Sequence, residues 1–412
     1  MASSYLFFLL LRLINSGDPR RLSSDIEDKG EQVVLIENKP TVLVLGGYGN
    51  FGARICTLLA QDPHLHVIIA GRNKHKAQKL VDKISHTNPS ANISALQIDW
   101  LLDDFPVLLQ KAHPQVLIHT AGPFQGQDYK VANTCIALNI HYLDLSDGRE
   151  FVTHIVELDE KAKKNEVAVI SGASSVPGIS SVVIEHYAHK FGILREIDFG
   201  IAPANKIERG DALIQAILGY TGKPFLRLEN GKWVTVFGWQ NVHRHYYGDN
   251  LGLRWHANCD IPDLVLLPQK YPMLKTVEFY AGMEIPLLHL GLWGMSWLTR
   301  AKIIRNWSYF YRSIAAMSRW FKKSGTDAGG MYIRMVGSSQ RYQPLEINWI
   351  LVAERGHGPY MPIIPCLILV KKILQGEIEP GARPCFEMFS LEEFEQAITK
   401  WSIYTTIEEK ES

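Results

Sequence analysis

The sequence predicts an α/β protein built on a doubly wound parallel sheet, followed by a second domain of α+β class. Three observations carry this prediction: an apolar run that stops on a glycine-rich turn, an alternation of strand and helix patterns up to about residue 170, and an aromatic-rich composition beyond it. The apolar run covers residues 41–45, and glycines follow at 46, 47, 49 and 52. Buried parallel strands read as continuous apolar runs, and a glycine turn that opens a helix after such a strand indicates a dinucleotide site.

The residues of this turn have separate predicted tasks. Gly47 permits the tight turn, Gly49 lets the backbone approach a pyrophosphate, and Gly52 lets the helix pack closely on the strand. The helix start supplies N–H groups and a partial positive charge to the phosphates. The alternative is a turn with a purely structural role. The predicted nucleotide contacts in the turn are Gly47, Tyr48, Gly49, Asn50, Phe51 and Gly52.

The second apolar run, residues 66–70, indicates which nucleotide binds. It ends in Gly71, Arg72 and Asn73, and no acidic residue occurs between Asp62 and Asp82. An acidic side chain at this strand end holds the ribose 2′-hydroxyl of NAD, whereas an arginine accommodates the 2′-phosphate of NADP. We therefore predict NADP rather than NAD, with Arg72 and Asn73 as contacts. The alternative is a solvated basic helix start.

The alternation continues, and the ends of the later strands supply further candidates. Parallel sheets of this kind, called Rossmann-type, bind ligands at the carboxyl ends of their strands. Asp99 is predicted on the adenine side. The loop with Ala121, Gly122 and Pro123 follows the fourth strand and is predicted to lie near the nicotinamide ribose. Pro123 fixes the backbone of this loop, and Gly122 allows the cofactor to approach it closely. The strand patterns lie at 93–98, 115–121, 141–145 and 167–170, and the helical patterns at 74–85, 129–138 and 150–165.

A chain of 412 residues has room for two domains. Nine of the ten tryptophans lie beyond residue 230, and strand, helix and strand patterns occupy 198–202, 209–220 and 233–237, with another strand at 346–352. The predicted organisation is an N-terminal extension or linker at 1–39, an NADP-binding domain at 40–176, an aromatic-rich α+β substrate domain at 177–345, a C-terminal segment at 346–400 and a tail at 401–412.

Composition narrows the function classes. The formal net charge is +1, which gives no general attraction to nucleic acid. The five cysteines show no paired spacing, and this favours reduced thiols and a cytoplasmic location. The apolar run at 5–14 is shorter than the roughly 20 residues of a membrane span, so it predicts a surface or membrane-touching helix, or an upstream start with little structure, rather than a secretory signal.

The segment 285–326 contains no Asp or Glu but is rich in Trp, Tyr, Lys and Arg. Trp and Tyr favour a bilayer interface, and basic residues favour anionic lipids. One interpretation is therefore an interfacial helix, or a basic entrance for an acidic lipophilic substrate, which makes 285–323 a candidate membrane surface. The other is a packed domain helix whose cations reach water along their aliphatic stems.

Candidates for chemistry beyond the cofactor are few. Asp147 and Tyr129 follow strand ends and could face a substrate, although each also fits a turn or packing role. His243, His245, His256 and Cys259 could suggest metal ligands, because alternate histidines on a strand share a face. No second close pair of ligands completes such a site, so we predict no metal. Asp260 and Asp263 flank Pro262 and are typical of turn residues.

Several short pieces of the chain form a recognisable set: 46–52, Ala70-Gly-Arg72, Thr120-Ala-Gly-Pro-Phe124, His141-Tyr-Leu-Asp-Leu-Ser146, Pro177-Gly178, Gly356-His-Gly-Pro359, Gly376 and Gly381-Ala382. With these pieces the chain resembles the saccharopine dehydrogenase-like oxidoreductases with an N-terminal NADP-binding domain. The resemblance implies an NAD(P)-linked oxidoreductase whose C-terminal segment returns to the first domain. That family includes enzymes acting on carbon–nitrogen bonds of amino-acid adducts and relatives proposed to reduce enoyl groups of lipids. No motif for a catalytic residue matches.

A short-chain dehydrogenase is the rival, because Gly46, Gly49 and Gly52 also fit its glycine spacing. Its Tyr-x-x-x-Lys pair occurs only at Tyr271 and Lys275, far downstream and with a proline inside. The sequence thus predicts an NADP-dependent oxidoreductase that transfers hydride to or from a C=N or C=C group of a carboxylated or lipid-like substrate. A non-catalytic NADP-binding membrane-surface or sensor protein is the alternative. Whether the chain forms a homodimer stays open.

Overall fold

The computed structural model describes residues 39–207, 210–321 and 323–411. They form two β-sheets with helices packed on them, and both sheets belong to one compact unit from Pro40 onward. The predicted extension at 1–39, with its apolar run, lies outside the described residues apart from Lys39.

The first sheet has seven strands in the order β15-β6-β5-β4-β1-β2-β3, and every neighbouring pair is parallel. Helices on its faces connect the successive strands, as expected for right-handed strand–helix–strand units. The predicted Rossmann-type class is therefore confirmed. Its strands are β1 (Thr41–Leu45), β2 (His66–Gly71), β3 (Asn92–Gln97), β4 (Val116–His119), β5 (His141–Asp144), β6 (Ala168–Ser171) and β15 (Gly381–Pro384).

The helices of this half follow the alternation seen in the sequence. The pattern at 150–165 is divided in the structure, since a 3-10 turn at His154–Leu158 separates two short helices. The helices are α1 (Asn50–Leu59), α2 (Lys74–Thr87), α3 (Phe105–Ala112), α4 (Lys130–Ala137), α5 (Arg149–Thr153), α6 (Asp159–Lys164) and α7 (Ser180–Ala188).

Strand β1 shows why its sequence is continuously apolar. Val42 and Val44 belong to one buried hydrophobic cluster, whereas Leu43 and Leu45 belong to another. Successive side chains of a strand point to opposite faces, so a sheet covered by helices on both faces needs apolar residues at every position. The strand therefore holds the turn that follows it between two cores.

The second sheet is mixed, with the order β10-β11-β12-β7-β13-β14-β16 and a hairpin of β8 and β9 that pairs with β12. Strands β7 and β12 are parallel, and the other neighbours are antiparallel. The strands are β7 (Phe191–Ala202), β8 (Pro224–Glu229), β9 (Lys232–Phe237), β10 (His243–Tyr246), β11 (Leu253–Asn258), β12 (Thr276–Met283), β13 (Gly329–Ser339), β14 (Pro344–Ala353) and β16 (Ile403–Glu411).

Four helices accompany this sheet: α8 (Asp211–Tyr220), α9 (Asp263–Lys270), α10 (Pro286–Arg300) and α11 (Tyr311–Ser318). Strands and helices beyond Phe191 together make the α+β arrangement predicted for the second half. In the part of the chain described by the structure, no helix combines the length and apolar character needed to cross a bilayer.

The C-terminal part connects the two sheets twice. After β14 the chain forms α12 (Ile364–Leu374), adds β15 to the edge of the first sheet, forms α13 (Leu391–Ile398) and returns as β16 beside β14. The predicted tail at 401–412 is thus corrected, because 403–411 form an edge strand. Its outward Glu and Lys residues, which protect a sheet edge from further pairing, concealed the strand pattern in the sequence. The predicted boundary at 346 also falls inside β14.

Candidate cofactor and substrate site

The glycine turn leaves the start of α1 open at the carboxyl edge of the first sheet. Gly49 caps the helix with an extended backbone, and no side chain caps it. The first N–H groups of an α-helix have no acceptor within the helix itself, so a helix start presents backbone donors. The turn itself is closed by the Gly49 N–H, which donates to the Gly46 carbonyl at 2.8 Å. This arrangement can receive an anionic group on backbone N–H donors.

At two positions of the turn, neighbouring atoms leave no room for a side chain, so only glycine fits. A Cβ on Gly52 would lie 2.4 Å from the Gly46 carbonyl oxygen, which is closer than atoms can pack. Gly46 has a φ of +81°, and a Cβ there would lie 2.8 Å from Oγ1 of Thr120. The Thr120 hydroxyl also donates to the Leu45 carbonyl at 2.9 Å, so the loops after β1 and β4 are joined. Thr120 lies in the Thr120–Phe124 motif, but nothing in the sequence around it predicted this contact between the two loops.

Tyr48 links the glycine turn to the end of β2. A Cβ on Gly71 would lie 2.7 Å from the Tyr48 ring, so the ring lies against the glycine backbone. The Asn73 N–H donates to the Tyr48 hydroxyl at 2.9 Å, and the Asn73 side chain caps α2 by accepting from the Lys76 N–H at 3.0 Å. Arg72, which lies between Gly71 and Asn73 in the chain, is exposed. The structure therefore brings Tyr48, Arg72 and Asn73 together at one strand end.

The other predicted contacts lie on either side of this point. Asp99 follows β3 and accepts from the Leu101 N–H at 3.1 Å, so it also stabilises its own turn. The loop that contains Gly122 follows β4 next to the glycine turn. It is held by Gln127, whose side-chain amide donates to the carbonyls of Ala121 at 3.1 Å and Pro123 at 2.7 Å.

Asp144 is a buried carboxylate at the end of β5, at the carboxyl edge of the first sheet, and it was not predicted from the sequence as a functional residue. One carboxylate oxygen accepts from the Ser146 N–H at 2.9 Å, the Gly172 N–H at 2.8 Å and the Ser171 hydroxyl at 3.0 Å. Burial raises the pKa of Asp144 to about 6, although these hydrogen bonds act in the opposite direction. Asp144 ties the ends of β5 and β6 together. The sequence feature that could have identified Asp144 is its position in the His141–Ser146 motif, which matches the saccharopine dehydrogenase-like family.

An open cleft, of about 650 Å³ when the solvent at its mouth is included, lies between the start of α1 and the second sheet. Among the described residues that line it, Asn50 and Ser175 have polar side chains and the others are apolar or glycine. Sequence patterns could not identify the opposite wall, because its residues come from separate segments that only the fold brings together. The lining residues are Asn50, Phe51, Ser175, Ile201, Ala202, Pro203, Ala204, Ile207, Leu213, Gly329, Gly330, Gly358, Pro359, Met361 and Pro362.

A polar contact joins the two halves outside the lining of this cleft. Arg149 of α5 forms an ion pair with Asp260 and donates to the Leu226 carbonyl at 2.8 Å. Burial raises the pKa of Asp260 to about 6, whereas Arg149 lowers it. Asp260, which the sequence suggested as a turn residue, is therefore also an inter-sheet contact.

The two candidate proton donors have local partners. Asp147 is half-buried, accepts from the Gln125 side chain at 3.2 Å, and has its pKa raised by burial. The Tyr129 hydroxyl donates to the Phe151 carbonyl at 2.7 Å, and burial raises its pKa too. Neither belongs to the lining of the cleft. Tyr271 of the rival pair donates to Glu185 at 2.6 Å.

The histidines of the second half are packed among aromatic rings. The His245 ring stacks on Tyr332 at a centroid distance of 3.5 Å, and His256 shares a 3.0 Å hydrogen bond with the Tyr247 hydroxyl. Burial lowers the pKa of His245 to about 4 and that of His256 to about 3. Cys259 is buried and donates to the Tyr220 hydroxyl at 3.3 Å. Among the described residues, no three His, Cys, Asp or Glu side chains are grouped to hold a metal ion.

Comparison with known families identifies the first half. Residues 42–170 match the family model described as the saccharopine dehydrogenase NADP binding domain. The resemblance to saccharopine dehydrogenase-like oxidoreductases predicted from the sequence is therefore confirmed for this part of the chain. No curated protein matches the chain significantly.

Solved structures extend the similarity of fold to both halves. Apo saccharopine dehydrogenase (L-Glu forming) from Saccharomyces cerevisiae aligns with a TM-score of 0.65 and 14% identity, covering 90% of this chain and 100% of that one. Amine dehydrogenase from Mycobacterium smegmatis aligns with a TM-score of 0.43 and 11% identity, covering 84% and 94%. Similarity at the first of these levels shows a shared fold, and the second is too weak to support an argument.

Proposed function

We propose that this chain, which carries a saccharopine dehydrogenase-type NADP-binding domain, is an NADP(H)-dependent oxidoreductase. It transfers hydride to or from a C=N or C=C group of a carboxylated or lipid-like substrate bound in the cleft. The observation that carries the proposal is that the nucleotide turn and the cleft share residues, since Asn50 and Phe51 at the start of α1 also line the cleft. A nicotinamide placed beyond this turn would face the cleft.

The proposed cofactor contacts are those of the three loops at the carboxyl edge. The first helical turn, with Gly47, Gly49 and Gly52, receives the pyrophosphate on backbone N–H groups. Arg72 pairs with the 2′-phosphate, since a guanidinium binds phosphate through two parallel hydrogen bonds. The remaining proposed contacts are Tyr48, Asn50, Phe51, Asn73, Asp99, Ala121, Gly122 and Pro123. When bound, the cofactor supplies the hydride chemistry.

The cleft walls favour the lipid-like end of the proposed substrate range. Side chains such as Ile201, Leu213 and Met361 remove an apolar group from water but offer few hydrogen bonds. Apolar walls also exclude water from the transferred hydride. The polar partners within the lining are Asn50 and Ser175, and Ser175 is the one that could donate a hydrogen bond from a hydroxyl.

Acid–base side chains are absent from the described part of that lining, and this supports the second candidate, a non-catalytic NADP-binding membrane-surface or sensor protein. Proton transfer from a positioned group accompanies most hydride transfers to polar double bonds. A protein that reads the NADP(H) level without a reaction needs the nucleotide turn but no proton donor. The two candidates therefore predict the same cofactor binding and different turnover.

Oxidation of NADPH tests the choice between them. The full chain is incubated with NADPH and two substrate panels, one of carboxylated imines and one of α,β-unsaturated lipids, while absorbance at the nicotinamide band is followed. Turnover with one panel supports the oxidoreductase. NADPH binding without turnover of either panel would favour the non-catalytic candidate.

A cleft variant shows whether turnover occurs where we propose. Gly358→Leu adds a side chain to the lining, and it should reduce turnover at least tenfold without weakening NADPH binding. Gly219→Leu is the matched control, because a Cβ at Gly219 meets no atom within 4 Å. Equal activity of the two variants would place the reaction elsewhere.

We also propose a cytoplasmic location with no nucleic-acid partner. All five cysteines are free and buried, as expected for a protein of a reducing compartment. A homodimer is the second oligomeric state to test, and light scattering of the purified chain distinguishes it from a monomer.

A further inference from the structure

Helix α10 is apolar on both of its sides. His289, Leu292 and Ser296 are buried and face the second sheet. The opposite side carries Leu287, Leu290, Trp293, Trp297 and Leu298, all exposed. A surface helix in water normally turns charged or polar residues outward. Helix α10 has no Asp, Glu, Lys or Arg before Arg300, so its exposed side carries no such charge up to that residue.

The chain that follows α10 continues this surface. Ile303 is 69% exposed, Tyr309 82% and Trp320 81%, and Phe310 and Met317 are exposed as well. We call these residues, together with the five outward residues of α10, the docking face. Single exposed apolar residues are ordinary, but many within one short segment mark an interaction site.

The inner side of the same segment is anchored in the fold. Leu292 of α10 packs in a buried cluster with Leu218 and Trp239, and Trp307, Tyr311 and Ile314 pack against it. The Trp307 indole N–H donates to the Met295 carbonyl at 3.0 Å. The docking face therefore belongs to an anchored part of the domain rather than to a loose loop.

The docking face lies on a segment whose own charges have one sign. No Asp or Glu occurs between Glu284 and Asp327. Arg300 is ordered by a 3.0 Å hydrogen bond to Gln240 and by stacking on Phe237 and Trp297. Among the side chains of this segment that the structure describes, the exposed cations are Arg300, Lys302, Arg305, Arg312 and Lys323. The segment thus combines an apolar aromatic surface with positive charges of its own, and the carboxylate of Asp211 on α8 lies near Arg312.

We propose that the docking face binds the surface of a lipid bilayer that contains anionic lipids. Trp and Tyr side chains settle at the headgroup level, and each cation near the surface adds attraction to anionic headgroups. The contact is peripheral, because no described helix is able to span a bilayer. A second copy of the chain is the less favourable occupant, since a symmetric contact would bring the same cations face to face.

The docking face also lies near the cleft. Leu213 of α8 lines the cleft, whereas Ile214 and Ile217 of the same helix pack against the buried cluster that contains Leu292 of α10. A bilayer bound at the docking face would therefore lie one helix away from the cleft. The membrane proposal does not depend on the proposed reaction, because its evidence is the exposure and charge of 287–323 alone.

Vesicle flotation of the full chain tests this proposal. The probes are vesicles of phosphatidylcholine alone and of phosphatidylcholine with phosphatidylserine. We expect flotation with the anionic vesicles and weaker flotation with the neutral ones. Lys302→Ala with Arg305→Ala should weaken binding to anionic vesicles by about thirtyfold. Lys79→Ala with Lys83→Ala, which removes two exposed cations of α2, is the matched control and should bind like the wild type.

A second pair of variants tests the apolar part of the face. Tyr309→Ser with Trp320→Ser should weaken binding to both kinds of vesicle at least tenfold, whereas Tyr342→Ser, which is 81% exposed on another turn, should not. Thermal unfolding and NADPH binding of all variants should stay unchanged, which separates lost docking from misfolding. Absence of flotation with anionic vesicles, or equal binding of the docking-face and control variants, would overturn the proposal. A wild-type dimer that these variants dissociate would overturn it in favour of a second copy.

Discussion

The carboxyl edge of the first sheet and the facing wall of the second sheet form one candidate site by different physical means. The first region uses backbone: a glycine turn, a helix start and loops held by Thr120 and Gln127. The second region uses side chains: apolar cleft walls, and beyond them an aromatic face with buried histidines. Backbone N–H groups suit phosphates, which every dinucleotide carries, while apolar side chains suit the apolar part of a substrate. In the proposed function, the cofactor therefore binds at the first sheet and the substrate lies against the second.

The largest effect is expected from breaking the backbone region. In Gly52→Ala the new Cβ would lie 2.4 Å from the Gly46 carbonyl oxygen, so the turn must move away from its phosphate-binding form. We expect NADPH affinity, measured by calorimetry, to fall at least hundredfold. Gly219→Ala on α8, where a Cβ meets no atom, is the control and should bind normally.

Gly49→Ala checks that result if Gly52→Ala folds poorly. Its Cβ would approach the Gly46 carbonyl oxygen only to 3.0 Å, so the fold should survive while the phosphate approach is obstructed. Wild-type affinity in both folded variants would show that the nucleotide binds elsewhere.

The next effect separates the two nucleotides. Arg72→Ala should weaken NADPH binding by about ten- to a hundredfold, since a hydrogen bond to a charged group contributes roughly 1.5–3 kcal/mol. NADH binding should stay unchanged, because NADH has no 2′-phosphate. Lys83→Ala at the far end of α2 provides the charge-matched control. An equal loss for both nucleotides would mean that Arg72 stabilises the loop rather than the phosphate.

A pH experiment sharpens the comparison from the side of the second sheet. Burial lowers the pKa of His256 to about 3, whereas an unfolded histidine titrates near 6.5. The stability due to the neutral imidazole is therefore complete above pH 6.5 and is lost as the pH falls towards 3. Between pH 7 and pH 5 this loss is about 2 kcal/mol.

His256→Gln removes that titration while keeping a side chain that hydrogen-bonds Tyr247. We expect its free energy of unfolding, from urea denaturation, to fall by about 2 kcal/mol less than that of the wild type between pH 7 and pH 5. His64→Gln, at an exposed position before β2, should leave the difference unchanged. Parallel pH profiles for His256→Gln and the wild type would contradict the neutral imidazole.

The smallest effect concerns the connection between the two sheets. The Ser390 hydroxyl accepts from the Glu393 N–H at 3.1 Å, and the Glu393 carboxylate accepts from the Ser390 N–H at 2.7 Å, which closes the start of α13. Ser390→Ala should lower the free energy of unfolding by about 1 kcal/mol. Thr399→Ala at the other end of α13 is the control. A loss confined to one sheet, seen by local probes, would show that the sheets unfold separately.

The cofactor half was predictable because its signals are local. The run from Thr41 to Gly52 fixes strand, turn and helix within one short window, and Arg72 follows at a set distance. The cleft could not be predicted, since Leu213, Gly330 and Met361 meet only after β7, β13 and the C-terminal segment have folded. The edge strand at Ile403–Glu411 was missed because its charged outward residues mimic a solvated tail. Asp144 was visible only as part of a matched motif, since its role depends on β6 beside it.

Calorimetric titration of the full chain with NADPH and with NADH is the decisive test of nucleotide binding at the glycine turn. We expect one NADPH site per chain, bound at least tenfold more tightly than NADH, and loss of that preference in Arg72→Ala. No heat from either nucleotide, or tighter binding of NADH than of NADPH, would contradict it.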